Sequence, residues 1–331
     1  MNAGVIGAGA WGTAFSIHLA RTGKKVLLWA FEKELYPVLR DSRENRTYLP
    51  GFKLDGPIDF TQEIREILDF AEMVVVATPS FALRQTLAPF SSDLKEKKLL
   101  ILTKGIERST FKLMNEVVEE LTGSDGKGIA TLSGPSFARE VAGGLFTAAV
   151  VASESMDLSF RFQQEIHSDH FRVYRSDDIT GVELGGALKN VMAIGAGILE
   201  GLRFGSNTQA AFTTRALAEI KRLGKALGAR ETTFMGLSGI GDLILTSYGS
   251  LSRNRLFGIE LASGRKPADI IDSQKAVVEG YYTINAVYNL AAKMGVEMPI
   301  TEELYRIVYE NKDIASSLQD IIKREFKEED G

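Results

Sequence analysis

The 331-residue chain carries 39 basic and 43 acidic side chains, a formal net charge of −4, which argues against a nucleic-acid surface, since that needs a basic excess on some face. It has no cysteine, which excludes disulfides and thiol chemistry and suits a reducing compartment. With 44% hydrophobic and 25% charged residues, the composition is that of a globular protein, and the length suggests about two domains.

The first element starts at once. In MNAGVIGAGAWG, residues Ala3–Ile6 read as a strand and the glycines as a turn, leaving no room for a basic, apolar and small-residue signal sequence. The expected location is therefore cytoplasmic. Further short apolar runs follow at 26–29, 73–77, 99–102, 129–132 and 148–152, with amphipathic segments such as 13–21 and 112–121 between them. Buried strands alternating with helices predict a mainly parallel sheet covered on both faces. Residues 45–54 read as a polar loop ending in Leu49-Pro50-Gly51. After about residue 178 the strand-like runs fade. Helical patterns then cover 180–199, 208–227, 253–263, 283–294, 301–311 and 316–326. The expected fold class is an α/β domain at 1–178 followed by an all-α domain at 179–331, with the helix of Lys189 able to bridge them. That helix is rich in glycine and interrupted by Lys189, short of the roughly 20 apolar residues of a membrane span, so no integral membrane segment is expected.

Gly7-Ala8-Gly9-Ala10-Trp11-Gly12 is a G-x-G-x-x-G between the first strand and the first helix. Gly7 permits the tight turn, Gly9 admits a pyrophosphate to the backbone, and Gly12 allows close helix–strand packing. The helix N-terminus then offers free N–H groups to phosphate. Read alone, the motif could be a glycine-rich turn without a ligand; its position between strand and helix points to a dinucleotide, with 1–178 as the binding domain. Glu32 stands at the distance where an acid takes the ribose hydroxyls of NAD. Lys33 is next to it and suits the 2′-phosphate of NADP, so NAD and NADP both stay open.

Lys104, in Leu102-Thr103-Lys104-Gly105, follows a strand and should emerge at the carboxyl edge of the sheet, where ligands of open α/β sheets sit. Gly134 and Ser136, in Ser133-Gly134-Pro135-Ser136, follow another strand and suit a backbone-lined polar pocket before a helix starting near Ala138. Asp242 lies in the flexible, apolar frame GLSGIGDL. Ser252, Arg253 and Asn254 place a hydroxyl, a guanidinium and an amide in succession, suited to a phosphate. Without the company of the other motifs, a helix cap at Ser252 with solvated arginines would be the simpler reading. His18, His167 and His170 are taken as structural or surface residues, the last two facing one way on a helical turn. Two ligands without a third make no zinc site, and no metal is expected. A lysine is left as the leading acid/base candidate; the apolar stretch VELGGALKNVMAIGAGI holds Asn190 beside Lys189. Its neighbours would desolvate the ammonium and push its pKa down.

The stretches GAGAWG, LTKGI, SGPSFARE, ELGGALKNVMAIGAGI, GLSGIGDLILT, SRN and VVEG, in this order over almost the full length, closely resemble the bacterial, biosynthetic glycerol-3-phosphate dehydrogenases that use NAD or NADP. The resemblance implies a Rossmann-like domain and a helical substrate-binding domain, often paired in a homodimer. It implies reversible reduction of dihydroxyacetone phosphate to sn-glycerol 3-phosphate, which supplies the glycerophospholipid backbone. By the family's motifs Lys189 would transfer the proton. Lys104, Gly134, Ser136, Asp242, Ser252, Arg253 and Asn254 would contact substrate, with Asn190 and Thr246 able to bond its hydroxyls. Trp11, Phe31, Lys104, Ala138, Arg253, Val277 and Glu279 fall where the family contacts its cofactor. The chain departs from the family at Ala10, where many relatives carry serine or threonine, and at Phe31-Glu32, where relatives often carry a basic residue. The rivals are a β-hydroxyacid or ketopantoate reductase of the same plan, or a dinucleotide sensor without chemistry.

Overall fold

The computed structural model describes residues 2–274 and 276–325. Eight strands form one sheet: β1 (Ala3–Ile6), β2 (Val26–Trp29), β3 (Ile58–Thr61), β4 (Met73–Val76), β5 (Lys98–Ile101), β6 (Ile129–Ser133), β7 (Thr147–Ala152) and β8 (Phe171–Ser176). Their order is β3-β2-β1-β4-β5-β6-β7-β8. All neighbours run parallel except β6 and β7. The mainly parallel sheet is thus as expected from the sequence, and its first six strands end on the same edge. Residue Ala3 pairs with Val26 on one side and Met73 on the other. The strand order therefore reverses between β1 and β4, which makes their carboxyl ends the topological switch point of the sheet.

Two strands, β3 and β8, are absent from the apolar runs of the sequence. They are the two edges of the sheet. Central β1 and β4 are buried at every position, whereas IDFT and FRVYRS alternate buried with exposed or half-buried residues. An edge strand covered on one face needs apolar side chains only at every second position. Separate apolar clusters cover the two faces of the sheet, one around Val5, Phe15 and Phe171, the other around Ile6, Val76 and Val118.

Beyond β8 the described chain is helical. Helices Ile179–Gly201, Ser206–Ala226, Arg253–Ala262, Glu279–Met294, Pro299–Tyr309 and Ile314–Ile322 match the six sequence patterns. Phe326, the last residue of the expected 316–326 helix, and the rest of the 326–331 end lie outside the described residues. The helical region wraps Ile179–Gly201, every residue of which is buried from Gly181 to Leu199. Asp178 caps this helix by accepting from the Gly181 N–H at 2.9 Å. By length and mean hydropathy, 1.3, it is long and apolar enough to cross a membrane, contrary to the expectation that its glycines and Lys189 would leave it short. Its most apolar window is 100% buried inside the protein, so it is a core helix. It packs on helices Ser206–Ala226, Asp242–Tyr248, Arg253–Ala262, Glu279–Met294 and Pro299–Tyr309, among others, and also on β6, and so bridges the two regions.

The histidines are structural or exposed. His18 is buried, with Nε2 2.7 Å from the Ile166 carbonyl, and burial pushes its pKa down to about 4. His167 and His170 are exposed, but a bridge from Ser168 to Phe171 replaces the helical turn expected there.

Candidate active site

The phosphate turn is built by exclusion. Gly7 has φ +123°, in the region that favours glycine, and a Cβ there would lie 2.7 Å from the Ala77 carbonyl oxygen. A Cβ on Gly12 would lie 2.0 Å from the Gly7 oxygen. Gly9 differs: a Cβ there would meet nothing within 4 Å. Gly9 opens helix Ala10–Arg21 with no side-chain cap, and the leading N–H groups of a helix have no partner within it. Ala10, first in that helix, offers its backbone N–H there. The Trp11 indole Nε1 is buried without a partner among the described residues. Phe31, beyond the end of β2, is 75% exposed and touches the Trp29 ring at 5.9 Å between centroids. Open space at Gly9, an uncapped helix start, an orphaned indole N–H and an exposed aromatic face fit a dinucleotide, whose phosphates suit the helix end. Glu32 is half-buried and accepts a hydrogen bond from the Tyr48 hydroxyl at 2.7 Å, while Lys33 is exposed.

The second constellation centres on Asp242, which is 0% exposed. Lys189 Nζ donates to its Oδ1 at 2.5 Å and Lys104 Nζ to its Oδ2 at 2.8 Å. Thr246 adds a 3.3 Å bond to Oδ1. Lys104 also reaches the Gly134 carbonyl at 3.5 Å, to which Ser136 Oγ donates at 2.9 Å. Lys104 comes from the end of β5, Gly134 from the end of β6, Lys189 from the core helix and Asp242 from the start of helix Asp242–Tyr248.

Glycines bring these elements together. A Cβ on Gly185 would sit 2.3 Å from the Ser238 carbonyl oxygen, and one on Gly186 would sit 2.7 Å from Ser133 Oγ and 3.5 Å from Lys104 Cδ. Bare at these positions, the core helix meets both the turn before Asp242 and the ends of β5 and β6, about one turn before Lys189. The turn itself, Leu237–Gly241, is kinked at Gly239, whose φ −100° and ψ −105° lie outside the helical region.

Lys189 is 8% exposed. Burial pushes its ammonium down to about 7; the Asp242 charge opposes this and the Lys104 charge adds to it. Burial alone would raise the Asp242 carboxyl, but the two ammonium groups outweigh it and hold the carboxyl below its ordinary range. With both ammonium groups protonated, a buried carboxylate between them leaves one net positive charge, which is able to stabilise an oxygen that gains negative charge.

Arg253, Asn254 and Ser252 meet at the start of helix Arg253–Ala262. Ser252 is the cap, its hydroxyl accepting from the Arg255 N–H at 3.2 Å, so the simpler reading of that serine is realised. Asn254 donates to Asn190 Oδ1 at 2.9 Å and accepts from the Gly280 N–H at 2.9 Å. Asn190 reaches back to the Gly186 carbonyl at 3.4 Å. These two amides tie the core helix to helix Glu279–Met294. Arg255 is paired with Glu200. The Arg253 side chain makes no hydrogen bond or ion pair among the described residues. It is exposed, and desolvation by the surrounding protein lowers its guanidinium against the opposing charge of Glu279.

Glu279 joins the two regions: the Ser80 N–H and hydroxyl donate to its carboxylate at 3.2 and 2.6 Å. Crowding by the protein raises the Glu279 carboxyl, against the Ser80 bonds and the Arg253 charge. Val277 and Ala138 lie nearby in sequence to helix starts and are half-buried. Ser80 was not singled out in the sequence, nor was Thr78, whose carbonyl accepts from Thr103 Oγ1 at 2.8 Å. The available signal was the one used for Lys104: polar residues directly after a strand, here Thr78-Pro79-Ser80 after β4.

A parallel sheet with an open phosphate turn at its switch point, and a lysine-bearing helix beside it, define a dinucleotide-dependent oxidoreductase. Residues 2–159 match the family model described as NAD-dependent glycerol-3-phosphate dehydrogenase N-terminus, and residues 178–319 the model for its C-terminus. The chain is 46% identical over 329 residues to a glycerol-3-phosphate dehydrogenase (NAD(P)+) of Citrifermentans bemidjiense, with 98% of each chain covered. It is 46% identical over 331 residues to that of Syntrophotalea carbinolica, covering 99% of each. Among solved structures, the glycerol-3-phosphate dehydrogenase of Coxiella burnetii superimposes with a TM-score of 0.92 at 35% identity, covering 98% of this chain and 99% of that one. The chain belongs to the NAD-dependent glycerol-3-phosphate dehydrogenase family.

Proposed function

We propose that this protein interconverts dihydroxyacetone phosphate and sn-glycerol 3-phosphate with NAD or NADP, in the cytoplasm, where the product supplies the glycerophospholipid backbone. The observation that carries the reading is the convergence of Lys104 and Lys189 on one buried carboxylate, Asp242. The bound reduced nicotinamide supplies the hydride, and the chain supplies placement and a proton. Lys189 stabilises the carbonyl oxygen as it gains charge and donates its Nζ proton to it. Asp242 aims that ammonium and keeps Lys104 beside it. The substrate phosphate binds Arg253 and the backbone N–H groups of Arg253 and Asn254 at the helix start. Ser252 and Asn254 act there through their positions, because their side chains are engaged elsewhere. A remote charged handle of this kind holds the reacting carbon in place. Gly134 and Ser136 line the same edge, and Thr246 steadies Asp242. Trp11, Phe31, Ala138, Val277 and Glu279 surround the dinucleotide. Residues 1–178 hold the cofactor and 179–331 most of the substrate contacts.

Initial rates with dihydroxyacetone phosphate and NADH or NADPH test the reading. Oxidation of either dinucleotide that depends on the ketone supports it. Binding of dinucleotide without oxidation would leave a sensor. Turnover of a ketoacid or ketopantoate in preference to dihydroxyacetone phosphate would favour the reductases of the same plan.

A further inference from the structure

The loop at 45–54 does more than connect. Its Asn45 is buried and donates to the Ala8 carbonyl at 2.7 Å and to Thr13 Oγ1 at 2.8 Å. Both acceptors belong to the phosphate turn or its helix. The Asn45 carbonyl oxygen Oδ1 accepts from the Tyr48 N–H at 3.0 Å, and the Tyr48 hydroxyl donates to Glu32 Oε1 at 2.7 Å. A continuous run of hydrogen bonds thus links the turn that faces the pyrophosphate to the carboxylate beyond the end of β2.

We propose that Glu32, held in place by Tyr48, makes this protein select NAD(H) over NADP(H). The proposal rests on the dinucleotide reading above. A free glutamate could rotate away from an incoming phosphate. This one is tethered at a fixed position relative to the phosphate turn. Its Oε1 is taken by Tyr48, and Oε2 is left to accept from a ribose hydroxyl. A 2′-phosphate brings a dianion against that fixed carboxylate, and like charges in contact reject a ligand strongly. Tyr48 remains a donor, since burial and the adjacent Glu32 push its phenol up to about 12.

The cations of this edge do not redress the balance. The Arg43 guanidinium is spent on the carbonyls of Leu54, Gly56 and Ile58. Arg46 lies 3.8 Å from Glu44. Lys33 is exposed and brings a single point charge, without the guanidinium fork that grips a phosphate in two bonds.

Calorimetric titration of the full chain with NADH and with NADPH tests this independently of turnover. The wild type should bind NADH at least about tenfold tighter than NADPH. Glu32→Gln keeps an acceptor for Tyr48 and removes the charge; it should tighten NADPH by about tenfold. Tyr48→Phe should weaken NADH by about threefold, the loss of one hydrogen bond, and narrow the NADPH-to-NADH ratio. A merely structural Tyr48 would weaken both dinucleotides alike. Equal binding by the wild type, a ratio untouched by Glu32→Gln, or an NADPH preference that Lys33→Ala abolishes would overturn the proposal. If the ratios hold but dihydroxyacetone phosphate is not reduced, the proposed reaction fails and this selectivity stands. If turnover occurs with NADPH favoured, the selectivity fails alone. If neither dinucleotide binds, both fall.

Discussion

The phosphate turn at 7–12 and the lysine cluster on Asp242 lie along one edge of the same sheet, yet they are built in opposite ways. The turn is six consecutive residues whose work is done by backbone and by missing side chains. The cluster is four side chains, Lys104, Lys189, Asp242 and Thr246, from three separated stretches, with Lys104 and its partner Asp242 138 positions apart. The turn is local and rigid by geometry. The cluster exists only because the core helix, two strand ends and the kinked turn before Asp242 meet. A local motif should tolerate loss of its ligand without loss of fold, whereas a cluster of buried charges should be sensitive in chemistry and in pH.

The largest effect expected from this contrast is at Lys189. Lys189→Ala should lower kcat by about 10³-fold, within the usual worth of general acid catalysis, with NADH affinity nearly retained. Near-normal turnover would remove the lysine from the reaction. Its pH dependence has a definite sign. With the ammonium lowered to about 7, reduction needs the protonated form, so kcat for reduction should fall as pH rises through about 7. Oxidation needs the neutral amine and should rise over the same window. Rates that move together in both directions would assign the titration elsewhere.

Arg253→Ala comes next. It should reduce kcat/KM for dihydroxyacetone phosphate by about 10²-fold, the scale of charge-assisted hydrogen bonds to a phosphate. Use of unphosphorylated dihydroxyacetone, measured in parallel, should change little by comparison. An equal loss on both substrates would place Arg253 outside the phosphate site.

Within the turn, two glycines separate fold from ligand. Gly12→Ala forces a Cβ to 2.0 Å from the Gly7 oxygen and should destabilise the fold by about 2 kcal/mol. Gly9→Ala meets no protein atom within 4 Å. It should leave the melting temperature nearly unchanged while weakening NADH binding by about tenfold, since the methyl takes the space of the pyrophosphate. A stability loss at Gly9 equal to that at Gly12 would mean that Gly9, too, serves the fold and not the ligand.

The smallest effect lies away from both sites. Glu219 accepts from the backbone N–H groups of Ile300 and Thr301 at 2.5 and 3.2 Å, and burial raises its carboxyl from the ordinary 4.5 to about 7. The folded state therefore holds this proton more tightly than the unfolded one. The stability it contributes is complete below about pH 4.5 and is lost as pH rises through about 7. Glu219→Gln should raise the melting temperature by about 1–3 °C at pH 8, with less change at pH 5. A gain of the same size at both pH values would mean that titration is not the cause.

What could be read from the chain follows the same division. The sheet's central strands and the six helices were legible because each is a continuous pattern of buried positions. The turn was legible because its requirements concern neighbouring residues. Edge strands β3 and β8 were not, since half of their side chains face away from the core. Ser80, Tyr48 and Asn45 were missed because their roles lie in partners 199, 16 and 37 residues away. Lys189, Asp242, Lys104 and Arg253 were legible as residue types in suggestive places, but the convergence of both lysines on Asp242 was not, nor was the tie that Asn254 makes between two helices.

By itself the sequence determined the alternation of strands and helices, the phosphate turn and the burial of the lysine helix, because spacing of apolar residues and absence of side chains act over a few positions. Tertiary structure decided which oxygen each ammonium meets, which amides are already occupied and where Glu32 is held. Those outcomes depend on distances between segments far apart in the chain, which close packing of the core helix on its neighbours sets.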